Sequence, residues 1–376
     1  MRRCSVGGQA VMEGVMMKSD EGIAMAVRRS DGKIVTTYNK QRSKAQKGTF
    51  LGWPIVRGVV ALIESLSTGM KCTTQSAKMY GEDLLGDEEP TKFEKWLSKT
   101  FGKSIESIIL GVGVVLGVQL AVGLFVFLPV LLSSLIFGES KSVWRSLVEG
   151  LLRVAIYVGY LFAMSGIKDM RRLFMYHGAE HKTIACYEAE AELTPHNAMK
   201  YRRLHPRCGT NYLFLVMAIS IFVLTIVDVV FQYGFGFVIE NRVLAFLFRF
   251  GIRILLIPVI AGISYEVLRW AAKRDNWLTK AVRAPGMGLQ LITTKEPTED
   301  MIEVAMAAFY IAMGERTPEY YNALADPPKE EAKENGEEKT EETAENAEET
   351  AEETPEKNED NAEETEETAE KDGGEA

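Results

Sequence analysis

Residues 108–137 read IILGVGVVLGVQLAVGLFVFLPVLLSSLIF, 30 positions without a charged side chain. A helix of about 20 apolar residues crosses the hydrocarbon core of a bilayer, so this stretch is predicted to be a transmembrane span. Three more follow it: Leu147 to Ile167, with Glu149 and Arg153 near its start; Tyr212 to Phe231, with Asp228 near its end; and Val243 to Tyr265, containing Arg249 and Arg253. The chain therefore reads as a mainly α, polytopic membrane protein with about four transmembrane helices. In the first span Gly113, Gly117 and Ala121 recur every four residues, a spacing that lets a neighbouring helix approach closely.

An ionisable group in hydrocarbon costs about 2.5 to 3.5 kcal/mol on insertion scales and usually acquires a partner. Glu149 with Arg153, and Arg249 with Arg253, lie four apart on one helix face. A buried network of these groups with Asp228 is expected in the outer half of the bundle. Near-balanced pairing of this kind suits a structural network better than a transport path. Orientation follows from the positive residues beside the spans. Lys92, Lys95, Lys99 and Lys103 precede the first; Lys168, Arg171, Arg172, Lys182, Lys200, Arg202, Arg203 and Arg207 fill the connection between the second and third; Arg269, Lys273, Arg274, Lys280 and Arg283 follow the fourth. Both termini and the 168–211 connection are predicted to be cytoplasmic.

The 376 residues carry 43 basic and 52 acidic side chains, a net charge of −9. Asp326 to Ala376 alone holds 23 acidic and 5 basic residues, net −18, which leaves residues 1–325 at +9. That body excludes a uniformly acidic soluble enzyme. Its basic residues flank the spans, so topology explains them and a nucleic-acid partner is not expected. The tail repeats Glu-Glu-Thr-Ala-Glu at 341, 348 and 366 without an aromatic, the composition of a disordered segment. Cysteines stand at 4, 72, 186 and 208 with no CxxC pair, which points to a reducing compartment. Met1-Arg2-Arg3 leads into the Gly-rich Ser5-Val6-Gly7-Gly8, not an apolar run, so no secretory signal is expected.

The rest divides into a cytoplasmic N-terminal region (1–107), the membrane region (108–265) and a C-terminal region (266–325). Residues 20–40 read as a β-hairpin: Ile23, Met25 and Val27 alternate, Ser30-Asp31-Gly32 turns the chain, and Lys33 to Tyr38 returns. The preceding Gly7 to Met17 is apolar and Gly-flanked, carries Glu13, and lacks phosphate-loop spacing. Trp53-Pro54 opens a helix through about Met79, interrupted by Arg57 and Glu64, that suits the membrane interface or the side of the bundle. Beyond the spans, Ala284 to Gly288 reads as a turn, Leu289 to Thr293 as a strand, and Pro297-Thr298 as the start of a helix. On that helix Ile302, Ala305, Met306, Phe309 and Met313 form one core-facing side.

All four histidines fall within 29 residues, at 177, 181, 196 and 205. His177-Gly178-Ala179-Glu180-His181 has the H-x-x-E-H spacing: on a helix the two imidazoles share a face and can share a metal, with Glu180 beside them as general base. His205-Pro206-Arg207-Cys208 adds an imidazole and a thiol three residues apart. If His177, His181, His205 and Cys208 all bind, the site is closed and structural; if one stays off, water can take the open position and Glu180 can activate it. Zinc prefers such donors. His196 is expected to be exposed and Cys186 buried, while Glu188 supplies one more nearby carboxylate.

These motifs resemble the YqhQ family of bacterial membrane proteins, predicted to be metal-dependent enzymes. The residues that carry the resemblance are Gly7 to Met17, Pro54 with Arg57-Gly58, His177 to Lys182, Tyr187-Glu188 and His205 to Thr210. The likeness runs from about Gly7 to Met313. It implies a bacterial cytoplasmic membrane location and a metal site at His177, His181, His205 and Cys208. Glu13 or Gln9 would reach that site if the Gly7 to Met17 segment folds over it. The leading expectation is a zinc-type hydrolase acting on a lipid-derived or membrane-proximal substrate, with Glu180 as its general base and Glu13 as a second catalytic carboxylate, embedded in a lipid bilayer and compatible with a homo-oligomer. A scaffold whose metal pins the 168–211 segment is the alternative, and a transporter built on Arg249 and Arg253 ranks last.

Overall fold

The computed structural model describes residues 6–45, 48–81, 105–137, 143–206, 208–231, 241–274 and 276–326. The acidic tail beyond them, and Lys92 to Lys103, lie outside the described residues. The N-terminal strands are β1 (Gly7–Val11), β2 (Gly14–Lys18), β3 (Gly22–Arg28) and β4 (Ile34–Lys40), an antiparallel sheet in the order β1-β2-β3-β4. The expected hairpin is β3–β4, turning at Gly32 with φ 87°. The Gly7 to Met17 segment forms a second hairpin, whose turn places Glu13 at φ 48°.

Strand periodicity then sorts the apolar side chains to two faces. Val15, Met17, Ala24 and Ala26 face one helical layer, made by α5 (Lys168–Glu188) and α10 (Glu299–Met313), in a core with Tyr176, Ile184, Ile302 and Phe309. Val11, Met16, Met25 and Val27 face Cys72 of α1 (Val56–Tyr80). Both sides of the sheet are thereby covered. The α10 face behaves as its spacing predicts, with Ile302 and Phe309 fully buried.

Among the described residues, four helices are long and apolar enough to cross a membrane: Gly111–Phe137, Trp144–Ser165, Gly209–Val229 and Val243–Ala272. The first consists of α2 (Ile105–Val122) and α3 (Leu128–Phe137) joined by a π-helical turn, Gly123–Phe127. The others are α4 (Val143–Ser165), α7 (Gly209–Val229) and α8 (Arg242–Ala272). Gly113 and Gly117 have no described neighbour within reach of an added Cβ, so the close approach expected there is not made within the described chain. The connection between the second and third of these helices holds α5 and the short α6 (Pro195–Met199), capped by the Thr194 side chain.

Of the intramembrane charges, Glu149, Arg153, Asp228 and Arg253 pair as expected. Arg253 grips Glu149 through Nε and a terminal nitrogen at 2.6 and 2.8 Å and reaches Asp228 at 3.2 Å. Arg153 donates to Glu149 at 3.2 Å, to Ser220 at 2.9 Å, and to the Phe125 carbonyl at 2.9 Å, inside the π-helical turn where backbone bonding is irregular. Glu149 thus serves two buried arginines. Removing one partner of a buried ion pair typically costs about 3 to 5 kcal/mol because a charge is left stranded. Glu149→Ala is expected to destabilise the detergent-solubilised protein by about that amount, read as a lowered melting temperature; a loss under about 1 kcal/mol would mean the arginines find water.

Two expectations for the C-terminal region fail. Ala284 to Gly288 is not a turn and Leu289 to Thr293 is not a strand: both belong to α9 (Trp277–Thr293), opened by an Asn276/Thr279 capping box. A short apolar run does not distinguish strand from buried helix. The glycine at 286 is a contact surface, since a Cβ there would lie 2.6 Å from Asn211 Oδ1 on α7. The last described helix is α11 (Pro318–Ala325), whose Asn322 Oδ1 accepts the Thr36 N–H of the edge strand β4 at 2.8 Å. In α1 the charges that interrupt the apolar stretch are matched. Arg57 pairs bidentately with Glu266 of α8, which raises the arginine's pKa, and Glu64 accepts from Ser43 and the Lys44 N–H.

Candidate metal centre

Helix α5 carries His177, Glu180 and His181 on one side, and the four-residue spacing sets the two imidazole centroids 4.5 Å apart. Cys208 is the N-cap residue of the membrane-spanning α7, and its Sγ accepts from the Thr210 N–H. A helix N-terminus exposes unpaired N–H groups that favour a negative ligand atom. One ligand atom each from His177, His181 and Cys208 lies within 4.8 Å of the others, with His177 Nε2 3.1 Å from the sulfur.

The outer contacts decide what these rings can do. His177 Nδ1 sits 2.9 Å from the Thr293 carbonyl, and His181 Nδ1 bonds the Arg203 carbonyl. A carbonyl oxygen only accepts, so each Nδ1 carries a hydrogen, and the tautomer this selects has its lone pair at Nε2. That is the arrangement in which metal-ligating histidines are held. Among the described residues His181 Nε2 is buried without a hydrogen-bond partner, as is Glu180 Oε2. Two imidazole nitrogens and a sulfur, one nitrogen orphaned, fit a zinc-type ion by donor chemistry.

Glu180 is 4 % exposed, and its other oxygen, Oε1, accepts the Gly8 N–H at 2.9 Å. Burial pushes its carboxyl above the usual range, against the opposing pull of His177 and the Gly8 N–H. The approach requires glycine: a Cβ on residue 8 would stand 2.5 Å from the Met16 carbonyl and 2.9 Å from the Glu180 carboxyl carbon. Gly8→Ala is expected to cost about 2 to 4 kcal/mol, combining a lost hydrogen bond to a charged group with overpacking. A thermal melt checks this, and an unchanged midpoint would remove Gly8 from the site.

His205 stands beside the group without joining it. Its ring centroid is 5.6 Å from that of His181, and its Nε2 lies 3.5 Å from Glu188 Oε2. Its backbone is clamped by the fully buried Gln290, which accepts from the His205 N–H at 2.8 Å and donates to its carbonyl at 2.9 Å. Sequence reasoning missed Gln290, although its signal was visible: one amide within the otherwise apolar Leu289 to Ile292.

Glu13 is not brought to the group. Its carboxylate is bound by Arg172, with one bond at 2.6 Å, and by the Tyr176 hydroxyl at 3.2 Å, one to two turns earlier on α5. The Gly7 to Met17 segment does fold over the cluster, but through Gly8 and Gln9. With Met16, Lys18, Ser65, Glu180, His205 and Cys208 these line a cavity of about 540 Å³. His196 is exposed and Cys186 buried, both as expected.

Comparison with known proteins places this arrangement. Residues 53–315 match the family model "Protein of unknown function (DUF1385)", a range that takes in the His/His/Cys group. Over 307 residues the chain is 34 % identical to "Uncharacterized protein YqhQ" of Bacillus subtilis (strain 168), covering 81 % of this chain and 90 % of that one. No solved structure matches. A family model spanning most of the chain and a relative sharing a third of its residues agree, and the chain belongs to the YqhQ family.

Proposed function

We propose that the protein is a membrane-bound, metal-dependent hydrolase whose zinc-type ion is held by His177, His181 and Cys208. The observation that carries this reading is the pair of histidines whose Nδ1 atoms meet backbone carbonyls while His177 Nε2 lies 3.1 Å from the cysteine sulfur and one ligand atom from each of His177, His181 and Cys208 falls within 4.8 Å of the others. Three protein ligands leave a position for water, the mark of catalytic rather than structural zinc. The ion supplies Lewis acidity at that position. Glu180 is the general base: it is buried beside the two histidines, and the Gly8 N–H holds one oxygen so that the other takes the proton. Lys and Arg placement supports a site on the cytoplasmic face of the bacterial inner membrane.

A structural reading draws on one observation, the nearness of His205. Were its ring to leave Glu188 and complete the ligand set, the site would close and the metal would pin α5 to the start of α7. The first test is common to both. Full-length protein purified in detergent under reducing, chelator-free conditions should hold close to one zinc-type ion per chain by elemental analysis. A metal-free product that also fails to take up added zinc would overturn the proposal.

A further inference from the structure

The cavity beside Glu180 has an unusual wall. Ser65 comes from the middle of α1, while Cys208 and Gly209 come from the start of a membrane-spanning helix. Helix α1 is itself tied to the bilayer. At its N-terminal end Gly58 packs so closely on Gly262 of α8 that an added Cβ would lie 2.8 Å from the Gly262 Cα. Gly262 is one turn inside Glu266 and two turns inside Arg269, the first charges at that end of the span. The first turns of α1 therefore pack against one end of a membrane-spanning helix, and about 10 Å of helix separates Gly58 from Ser65.

The surface of α1 follows the same gradient. Ile63, Leu66 and Met70 form one stripe at helical spacing and are 61 %, 65 % and 44 % exposed, and Trp53 just before the helix is 60 % exposed. The stripe then turns polar at Thr73 and Thr74, and the last turns of α1, with Cys72, pack on the sheet. A helix that is apolar and uncovered where it meets a span, and polar where it leaves it, is matched to a membrane interface.

We infer that this stripe lies among the lipids and that the cavity fills sideways from the bilayer, so that its ligand is a membrane amphiphile. The polar head would enter past Ser65 toward Glu180, and the apolar part would stay in the acyl layer beside the start of α7. This rests on the hydrolase reading for what happens to the head, but the entry route does not depend on the metal.

The test uses the full chain in phosphatidylcholine nanodiscs containing dibrominated acyl chains. In a background with its five tryptophans changed to phenylalanine, single tryptophans are placed by Ile63→Trp, Leu66→Trp, Met70→Trp and Thr74→Trp. Strong quenching at the first three, and at least threefold weaker quenching at the last, is expected. Quenching by aqueous iodide instead, or none by either agent because a protein surface covers the stripe, would overturn the inference. A photo-crosslinking residue at position 65 should also add the mass of a phospholipid, whereas one at Lys33, on a different face, should not; lipid-free protein at 65 would overturn it as well. Metal content measured in the same discs separates the two readings. Quenching and cross-linking without metal sink only the hydrolase, and metal without them sinks only the amphiphile.

Discussion

Replacing Glu180 with glutamine is expected to leave the metal in place and to lower turnover by about 10²- to 10⁴-fold, the usual contribution of a positioned general base. The substitution is nearly isosteric, so the Gly8 N–H keeps its acceptor at Oε1 while the proton-accepting oxygen is lost. A screen of ester, amide and phosphoester amphiphiles in mixed micelles, run beside the unaltered protein, reads the effect. A structural site gives a different pattern: Glu180→Gln would change neither metal content nor any function, because the carboxylate then only fills space.

The second large effect separates open from closed coordination. His181→Ala should weaken metal binding by more than the 10- to 100-fold typical of losing an outer contact, and elemental analysis should find the site nearly empty. His205→Ala should leave most of the metal bound, because that imidazole faces Glu188 and its position is set through Gln290. Equal losses in both variants would mean that His205 swings in and completes a closed tetrahedron.

Much of this was legible beforehand, for definite reasons. Spans are long and continuous, so composition alone exposes them, and the pairing of Glu149 with Arg153 and Arg253 followed from the cost of bare charge in lipid. The H-x-x-E-H spacing put both imidazoles on one face because helical geometry does so wherever the helix lies. What stayed hidden depended on distant backbone. That Thr293 and Arg203 carbonyls set the histidine tautomers, or that Gly8 is needed for close approach to Glu180, depends on residues up to 172 positions apart meeting. Glu13 was misplaced for the same reason: its segment reaches the cluster, but strand alternation and the turn hand its carboxylate to Arg172. The Leu289 to Thr293 strand was an ambiguity of short apolar runs, settled by the packing of Gly286 and Gln290 against α7 and the His205 backbone.

The most direct test of the central claim is X-ray absorption at the zinc edge on the zinc-loaded protein. The account predicts one sulfur at about 2.3 Å, two imidazole nitrogens at about 2.0 Å and one further light atom. A spectrum with no sulfur, with three imidazoles, or with a shell of six oxygens would contradict it.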